Sequence, residues 1–144
     1  MISPFLLYFR LMEGFTLHKE ERLCSQKTIE DLFSSGESFL TYPLKVVFIK
    51  TEMPQNYPAQ AAFTVSKRNF KRAVKRNILK RRMREAYRLN KPGFYREIAA
   101  RNIQIAVMFV FIGKDLIEYA RIEKAMILAF KTLLRKLSPA IDQD

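Results

Sequence analysis

The chain has 144 residues, of which 49% are hydrophobic and 28% charged, and this composition indicates one folded domain and excludes an extended disordered tail. Its net charge of +12 favours a polyanionic partner. No apolar run reaches the roughly 18 residues needed to cross a bilayer, so no membrane partner is expected. Cys24 is the single cysteine, so no internal disulfide can form, and a cytoplasmic protein is expected.

The start of the chain is expected to lie outside the domain. Residues 5–9 are apolar, but no basic residue precedes them and no small-residue cleavage site follows, so they are not typical of a signal peptide. Met12 is an alternative start. We therefore predict an N-terminal extension over residues 1–14, a single domain over 15–138 and a C-terminal tail over 139–144.

The first predicted element is a short helix over residues 25–35. Ile29, Leu32 and Phe33 form an apolar stripe at helical spacing, and Gly36 follows as a stop signal. This helix should pack one face on the rest of the domain.

Two strands are predicted next. Residues 44–51 and 60–66 are rich in β-branched and aromatic side chains, which favour extended structure. The segment between them contains two prolines and Asn56, so we predict that it forms the loop of a hairpin joining the two strands.

The excess charge lies in one segment. Between Lys67 and Lys91 there are 12 Lys or Arg residues and one acid, Glu85, a net charge of +11. The rest of the chain has 14 basic and 13 acidic residues. The polyanion is therefore expected to bind this segment.

The basic segment also has a helical pattern. Leu79, Met83 and Ala86 recur at steps of four and three, which predicts a core-facing stripe. The opposite face would present Asn77, Lys80, Arg81, Arg84 and Arg88. One helix can thus bind the core on one side and an anion on the other.

The remaining elements complete an α+β domain with helices packed on one sheet. Pro92 and Gly93 predict the end of the basic helix at residue 91, followed by a link over 94–100. Residues 103–112 are nearly all apolar and predict a buried strand. Residues 115–137 have apolar side chains at helical spacing and predict a long closing helix. A strand–helix–strand crossover of this kind is usually right-handed.

Other interpretations of the basic helix are less well supported. A merely solvated helix would place many like charges on adjacent turns without a compensating anion. A membrane-surface helix needs bulky apolar residues across its other face, which here is narrow. A DNA-binding helix-turn-helix is disfavoured because a strand directly precedes the helix. RNA is therefore the expected partner, and DNA is not.

No catalytic set is recognisable. His18 is the single histidine, and the acidic residues are scattered over predicted helix faces and ends. A nuclease that works alone needs carboxylate pairs holding metal ions, or histidines that titrate near neutral pH. We therefore expect no catalytic residue and no metal or cofactor bound by the protein alone.

Residues 64–90, TVSKRNFKRAVKRNILKRRMREAYRLN, resemble the signature segment of the bacterial ribonuclease P protein family. In that family a V-S-K stretch is followed on a helix by A-V-x-R-N-R-x-K-R-x-x-R-E. The matching residues here are Val65, Ser66, Lys67, Ala73, Val74, Arg76, Asn77, Lys80, Arg81, Arg84 and Glu85. Ile78 replaces the second arginine of R-N-R, and the family's glycine ahead of the helix has no counterpart in residues 69–72. The resemblance extends over most of the chain after Met12.

The resemblance implies an αβββαβα domain with a four-stranded sheet and, against the general rule, a left-handed crossover through the basic helix. It also implies that an RNA subunit, with Mg²⁺ in the assembled particle, removes the 5′ leader of precursor tRNA. The expected partners are ribonuclease P RNA and precursor tRNA, with the protein as a monomer in a one-to-one complex. The alternative is a ribosomal or other structural RNA-binding protein, which would not distinguish precursor from mature tRNA.

When the family's binding residues are transferred to the matching positions of this sequence, two sets of binding residues are expected. The catalytic RNA is expected to contact Lys67, Arg68, Arg76, Asn77, Lys80, Arg81, Arg84 and Arg88. A leader cleft between the first helix and the sheet is expected to be lined by Ile29, Phe33, Val47 and Phe63, although Phe33 and Phe63 are also candidates for plain core residues.

Overall fold

The computed structural model describes residues 17–52 and 57–137, so the predicted extension 1–14 and tail 139–144 lie outside the described residues. The described chain forms three α-helices and one four-stranded sheet, which confirms the α+β prediction. In chain order the elements are α1 Gln26–Ser35, β1 Glu37–Thr41, β2 Leu44–Lys50, β3 Ala59–Val65, α2 Ala73–Ala100, β4 Ile105–Phe111 and α3 Tyr119–Lys136. A 3₁₀ turn, Lys19–Glu21, precedes α1.

The sheet has the strand order β1-β2-β4-β3. β1, β2 and β4 are antiparallel neighbours, and β3 runs parallel to β4. The predicted hairpin between β2 and β3 is wrong, because β4 lies between them; residues 53–56 of their connection lie outside the described residues. β4 is central and has a helix against each of its faces, which explains its nearly continuous apolar sequence.

Helix α1 packs on one face of the sheet. It starts where predicted, since the Ser25 hydroxyl accepts a hydrogen bond from the backbone N–H of Thr28 at 3.3 Å and caps the helix. Its side chain Leu32 is fully buried against β2 and β4. The cluster on this face consists of Leu23, Leu32, Val47, Ala106 and Met108.

Helices α2 and α3 pack together on the opposite face and enclose the main core. The rings of Tyr87, Phe109 and Phe130 meet edge to face, and Phe94 stacks on Phe130 with 4.6 Å between ring centroids. Alternate residues of a strand point to opposite faces, so β2, β3 and β4 each contribute to both cores.

Helix α2 does not end at Lys91 as predicted, but continues through Pro92 to Ala100. A proline inside a helix costs about 3 kcal/mol. Burial of a large apolar side chain contributes about 1.5–3 kcal/mol, and Phe94, Tyr95 and Ile98 beyond the proline are all buried. Their packing therefore outweighs the cost of the proline. Helix α3 starts at Tyr119, later than predicted.

Glu21 joins the 3₁₀ turn to α2 through a buried polar network. Its carboxylate accepts hydrogen bonds from Lys91 Nζ at 2.5 Å, from the Tyr95 hydroxyl at 2.7 Å and from the backbone N–H of His18 at 2.9 Å. The hydroxyls of Tyr95 and Tyr87 are 2.9 Å apart. Burial lowers the pKa of Lys91, an effect that the hydrogen bond to Glu21 opposes. The carboxylate thus stabilises the buried ammonium group.

Candidate nucleic-acid interface

The N-terminal half of α2 is amphipathic, as its sequence predicts. Leu79, Met83 and Ala86 have no exposed surface, which confirms the predicted core face. These three side chains fix the rotation of the helix about its own axis. The residues on the far side are consequently directed to solvent.

The exposed face of α2 consists of Asn77, Lys80, Arg81 and Arg84. Asn77, Arg81 and Arg84 are exposed, and Lys80 is half-buried. Within the described residues, the side chains of Lys80, Arg81 and Arg84 make no hydrogen bond or ion pair. They are therefore available to phosphate groups, which accept charge-assisted hydrogen bonds from such cations.

Two of the predicted RNA-binding arginines have protein partners. Arg76 donates hydrogen bonds from Nη1 to the carbonyl oxygens of Phe70 at 2.8 Å and Lys71 at 2.9 Å, so it fixes the turn that precedes α2. Arg88 forms an ion pair with Glu85 at 2.6 Å, and the hydrogen bond to that carboxylate raises the pKa of Arg88. Both arginines therefore have a structural role, and RNA binding by them stays a prediction.

Lys67 and Arg68 lie in the turn that follows β3. Both side chains are exposed. The backbone N–H of Arg68 donates to the Ser66 hydroxyl at 3.1 Å, which shapes the turn. The two cations thus extend the charged surface beyond the start of α2, and RNA binding by them stays a prediction.

A second surface of interest lies beside α1. Phe33 is 67% exposed, so it is not a core residue. Ile29 is half-buried and packs against the cluster beneath α1. Val47 belongs to that cluster and is only 7% exposed, so it supports the surface and has little area of its own to offer a ligand.

The prediction that Phe63 lines the leader cleft between α1 and the sheet is wrong. Phe63 packs on the opposite face of the sheet, where its ring stacks on Phe109 at 5.6 Å and meets the edge of Tyr87 at 5.5 Å. Successive side chains of a strand alternate between faces, and the neighbour Ala62 is the one that faces α1.

Three residues on the α1 side were missed from the sequence. Ile49 on β2, Ala62 on β3 and Val110 on β4 are half-buried and pack against the cluster beneath α1. The strand alternation offered a signal, because Ala62 lies opposite Met108 and therefore shares its face. We name Ile29, Phe33, Ala62 and Val110 the α1 surface.

Over 17–52 and 57–137, no group of three or more His, Cys, Asp or Glu side chains is placed to hold a metal ion. In the same ranges, no helix is long and apolar enough to cross a membrane.

A model of the family described as Ribonuclease P matches residues 17–137. The chain belongs to the ribonuclease P protein family. The ribonuclease P protein component of Porphyromonas gingivalis is 38% identical to it over 113 residues, which cover 78% of this chain and 82% of that protein. The ribonuclease P protein component of Chlorobium phaeobacteroides is 37% identical over 117 residues, covering 72% and 80%.

Solved structures of ribonuclease P proteins have the same fold. The protein from Thermotoga maritima matches with a TM-score of 0.61 at 21% identity, covering 83% of this chain and 99% of that one. The Staphylococcus aureus protein matches with a TM-score of 0.60 at 20% identity, covering 78% and 94%.

This member of the ribonuclease P family departs from the family motif at the start of α2. Ile78, in place of the second arginine of R-N-R, is half-buried. In the turn 69–72, where the family has a glycine, Phe70 is buried and its ring meets the edge of Phe111 at 5.9 Å. Phe70 thus anchors this turn on β4.

Proposed function

We propose that this chain is the protein subunit of ribonuclease P. It binds the catalytic RNA through the exposed face of α2 and the unpaired 5′ leader of precursor tRNA through the α1 surface. The RNA subunit, with Mg²⁺, hydrolyses the phosphodiester bond, and the protein raises the affinity for substrate and metal. It acts in the cytoplasm as a monomer in a one-to-one complex with the RNA.

Family membership combined with the cations of α2 is the observation that supports this proposal most strongly. Lys80, Arg81 and Arg84 lie on one face of a helix whose other face is fully buried. A rigid row of cations without protein partners suits the regularly spaced phosphates of an RNA backbone. Each phosphate that they neutralise releases condensed counterions, so binding should weaken steeply with salt.

The α1 surface has the chemistry that single-stranded RNA requires. Unpaired bases stack on exposed aromatic rings, and Phe33 offers such a ring at the surface of α1. Ala62 and Val110 add partly exposed apolar area from the sheet on the same side. This arrangement supports leader binding without base-specific readout.

Cleavage of precursor tRNA at low Mg²⁺ concentration tests the proposal. The ribonuclease P RNA of the same organism is assayed with and without the protein, and the protein is also assayed alone. We expect cleavage by RNA and protein together, and none by the protein alone. If the protein does not change cleavage by that RNA, the proposed function is wrong.

Phe33→Ala should weaken binding of the leader while leaving the fold intact. Loss of a stacking ring costs about 1–3 kcal/mol per base, and an exposed side chain contributes little to stability. The affinity of the assembled particle for precursor tRNA should therefore fall towards its affinity for mature tRNA, as measured by equilibrium binding of both substrates.

Phe63→Ala is the matched control, because it removes the same ring from the other face of the sheet. This variant should lose about 3 kcal/mol of stability to unfolding, since it leaves a cavity beside Tyr87 and Phe109. It should keep the preference for precursor over mature tRNA under conditions where it is folded. The assignment of Phe33 fails if Phe33→Ala is the variant that unfolds, or if it keeps the full preference.

A further inference from the structure

The segment before α1 crosses the edge of the sheet from one face to the other. We name residues 17–23 the strap. Leu17, at its start, packs against the main core on the side of α2 and α3, whereas Leu23, at its end, belongs to the cluster beneath α1. Between them, Arg22 pairs with Ala61 of the edge strand β3, and the backbone N–H of Leu23 donates to the carbonyl oxygen of Ala61 at 2.9 Å. The strap thus joins the two faces of the sheet around β3.

Helix α1 depends on the strap for its position because its own packing is slight. Leu32 is the one buried residue among the ten of α1, and its neighbour Phe33 is 67% exposed. Two residues, Cys24 and Ser25, separate the strap from the helix. A displacement of the strap is therefore passed on to α1, and with it to the ring of Phe33 on the α1 surface.

Glu21 fixes the strap to α2 through buried polar contacts. Its carboxylate accepts hydrogen bonds from Lys91 at 2.5 Å, from Tyr95 at 2.7 Å and from the backbone N–H of His18 at 2.9 Å. Hydrogen bonds are directional, so three of them to one carboxylate restrict the strap to one placement. Replacement of a buried ion pair by well-packed apolar residues is often neutral or stabilising, so net stability does not account for this pair.

We propose that Glu21 is a positioning residue for leader binding. Its bonds to Lys91 and Tyr95 hold the strap, and the strap sets α1 and the ring of Phe33 against the sheet. Lys91 belongs to the helix that carries the RNA-binding face, so the same network fixes the placement of the α1 surface relative to that face. The proposal rests on the function proposed above for the α1 surface.

Replacement of both charged residues by apolar ones separates positioning from stability. In Glu21→Leu combined with Lys91→Met, no unpaired charge is left buried and the net charge of the protein is unchanged. The variant should therefore fold and bind the catalytic RNA within about twofold of the wild-type affinity. The assembled particle should lose about fivefold in its ratio of affinities for precursor and mature tRNA, since loss of one stacked base corresponds to at least that factor.

Glu20→Leu combined with Lys19→Met is the matched control. It removes the same two charges from exposed positions of the same turn and leaves the contacts of Glu21 in place. This variant should keep the wild-type ratio. An unchanged ratio in the folded variant of Glu21 and Lys91 would overturn the proposal, and so would an equal fall in both variants.

A measurement on the unaltered protein keeps the proposal testable if the apolar variant does not fold. Free wild-type protein is placed in deuterated buffer, and exchange is followed at the amide protons of His18 and Leu23, which are bonded to Glu21 and Ala61. Both should exchange as slowly as the buried amides of β4. Exchange as fast as in an exposed turn would show that the strap is not held, and would overturn the proposal.

Failure of the proposed function is distinguishable from failure of this proposal. The first would appear as an absence of any effect of the wild-type protein on cleavage by the RNA. The second would leave wild-type cleavage intact and would appear only in the affinity ratio of the apolar variant or in the exchange of the strap amides.

Discussion

Glu21→Ala is expected to lower the free energy of unfolding by about 3–5 kcal/mol, the largest effect that we predict for a single substitution. Glu21 is 1% exposed and Lys91 is 4% exposed, so neither charge is well hydrated. Without this carboxylate, the ammonium group of Lys91 loses its ion pair with Glu21 and the Tyr95 hydroxyl loses an acceptor. Urea denaturation at pH 7 measures the change.

Glu20→Ala is the control for this prediction. It removes a neighbouring carboxylate that is exposed, and it should change the stability by no more than about 0.5 kcal/mol. A loss below about 1 kcal/mol for Glu21→Ala would mean that the fold does not depend on the ion pair.

The loss of unfolding free energy caused by Glu21→Ala should become smaller as the pH rises. The pKa of Lys91 is already lowered by burial from its ordinary value of 10.5, and removal of Glu21 should lower it further. Between the folded and unfolded pKa values the unfolded chain binds more protons, so the stability of the variant rises with pH. A deficit that stays constant between pH 7 and pH 10 would point to lost packing rather than lost charge compensation.

The combined substitution of Arg81 and Arg84 with alanine should weaken assembly with ribonuclease P RNA roughly a hundredfold at moderate salt, if each residue makes one charged hydrogen bond to a phosphate. The slope of log affinity against log salt should fall by about one for each residue. Both quantities come from equilibrium binding over a series of salt concentrations. Because the two side chains are exposed, the fold should be unaffected.

Arg121→Ala combined with Arg135→Ala is the matched control, since it removes two exposed arginines from α3. It should have a much smaller effect on affinity and on the salt slope. Unchanged affinity and slope for the Arg81 and Arg84 pair would refute the exposed face of α2 as the RNA-binding face.

The elements that could be predicted from the sequence are those with a clear apolar pattern of their own. The core face of α2 follows from the spacing of Leu79, Met83 and Ala86, and all three are buried. Helix α1 was predicted correctly because its apolar stripe and its end signals agree. The central strand β4 was recognisable because a strand covered on both faces needs almost only apolar residues.

Features that depend on distant parts of the chain could not be predicted in this way. β4 inserts between β2 and β3, and nothing in the segment joining those two strands encodes that. The continuation of α2 past Pro92 depends on the packing of Phe94, Tyr95 and Ile98 against the other elements. The residue pattern of β1 did not predict a strand, because β1 is short and its residues are largely exposed; the third strand before α2 was expected only from the family resemblance.

In the candidate site, too, local features could be predicted and long-range contacts could not. The spacing of the basic residues identified the cations on α2. It could not predict that Arg76 donates hydrogen bonds to backbone carbonyl oxygens, because a residue pattern contains no information on such contacts. Phe63 was assigned to the wrong face because the strand was considered as a whole, without its alternation. The ion pair of Glu21 and Lys91 joins residues 70 positions apart, which only the folded chain brings together.

The continuity of α2 has a mechanical consequence. As a helix of 28 residues it is about 42 Å long, and both its N-terminal and its C-terminal half pack one face against the core. The cations of its N-terminal half therefore lie on a helix that the core already holds in place, and their spacing is set before any RNA binds. A segment that folds only on binding loses affinity to the entropy of ordering, whereas this one is already ordered.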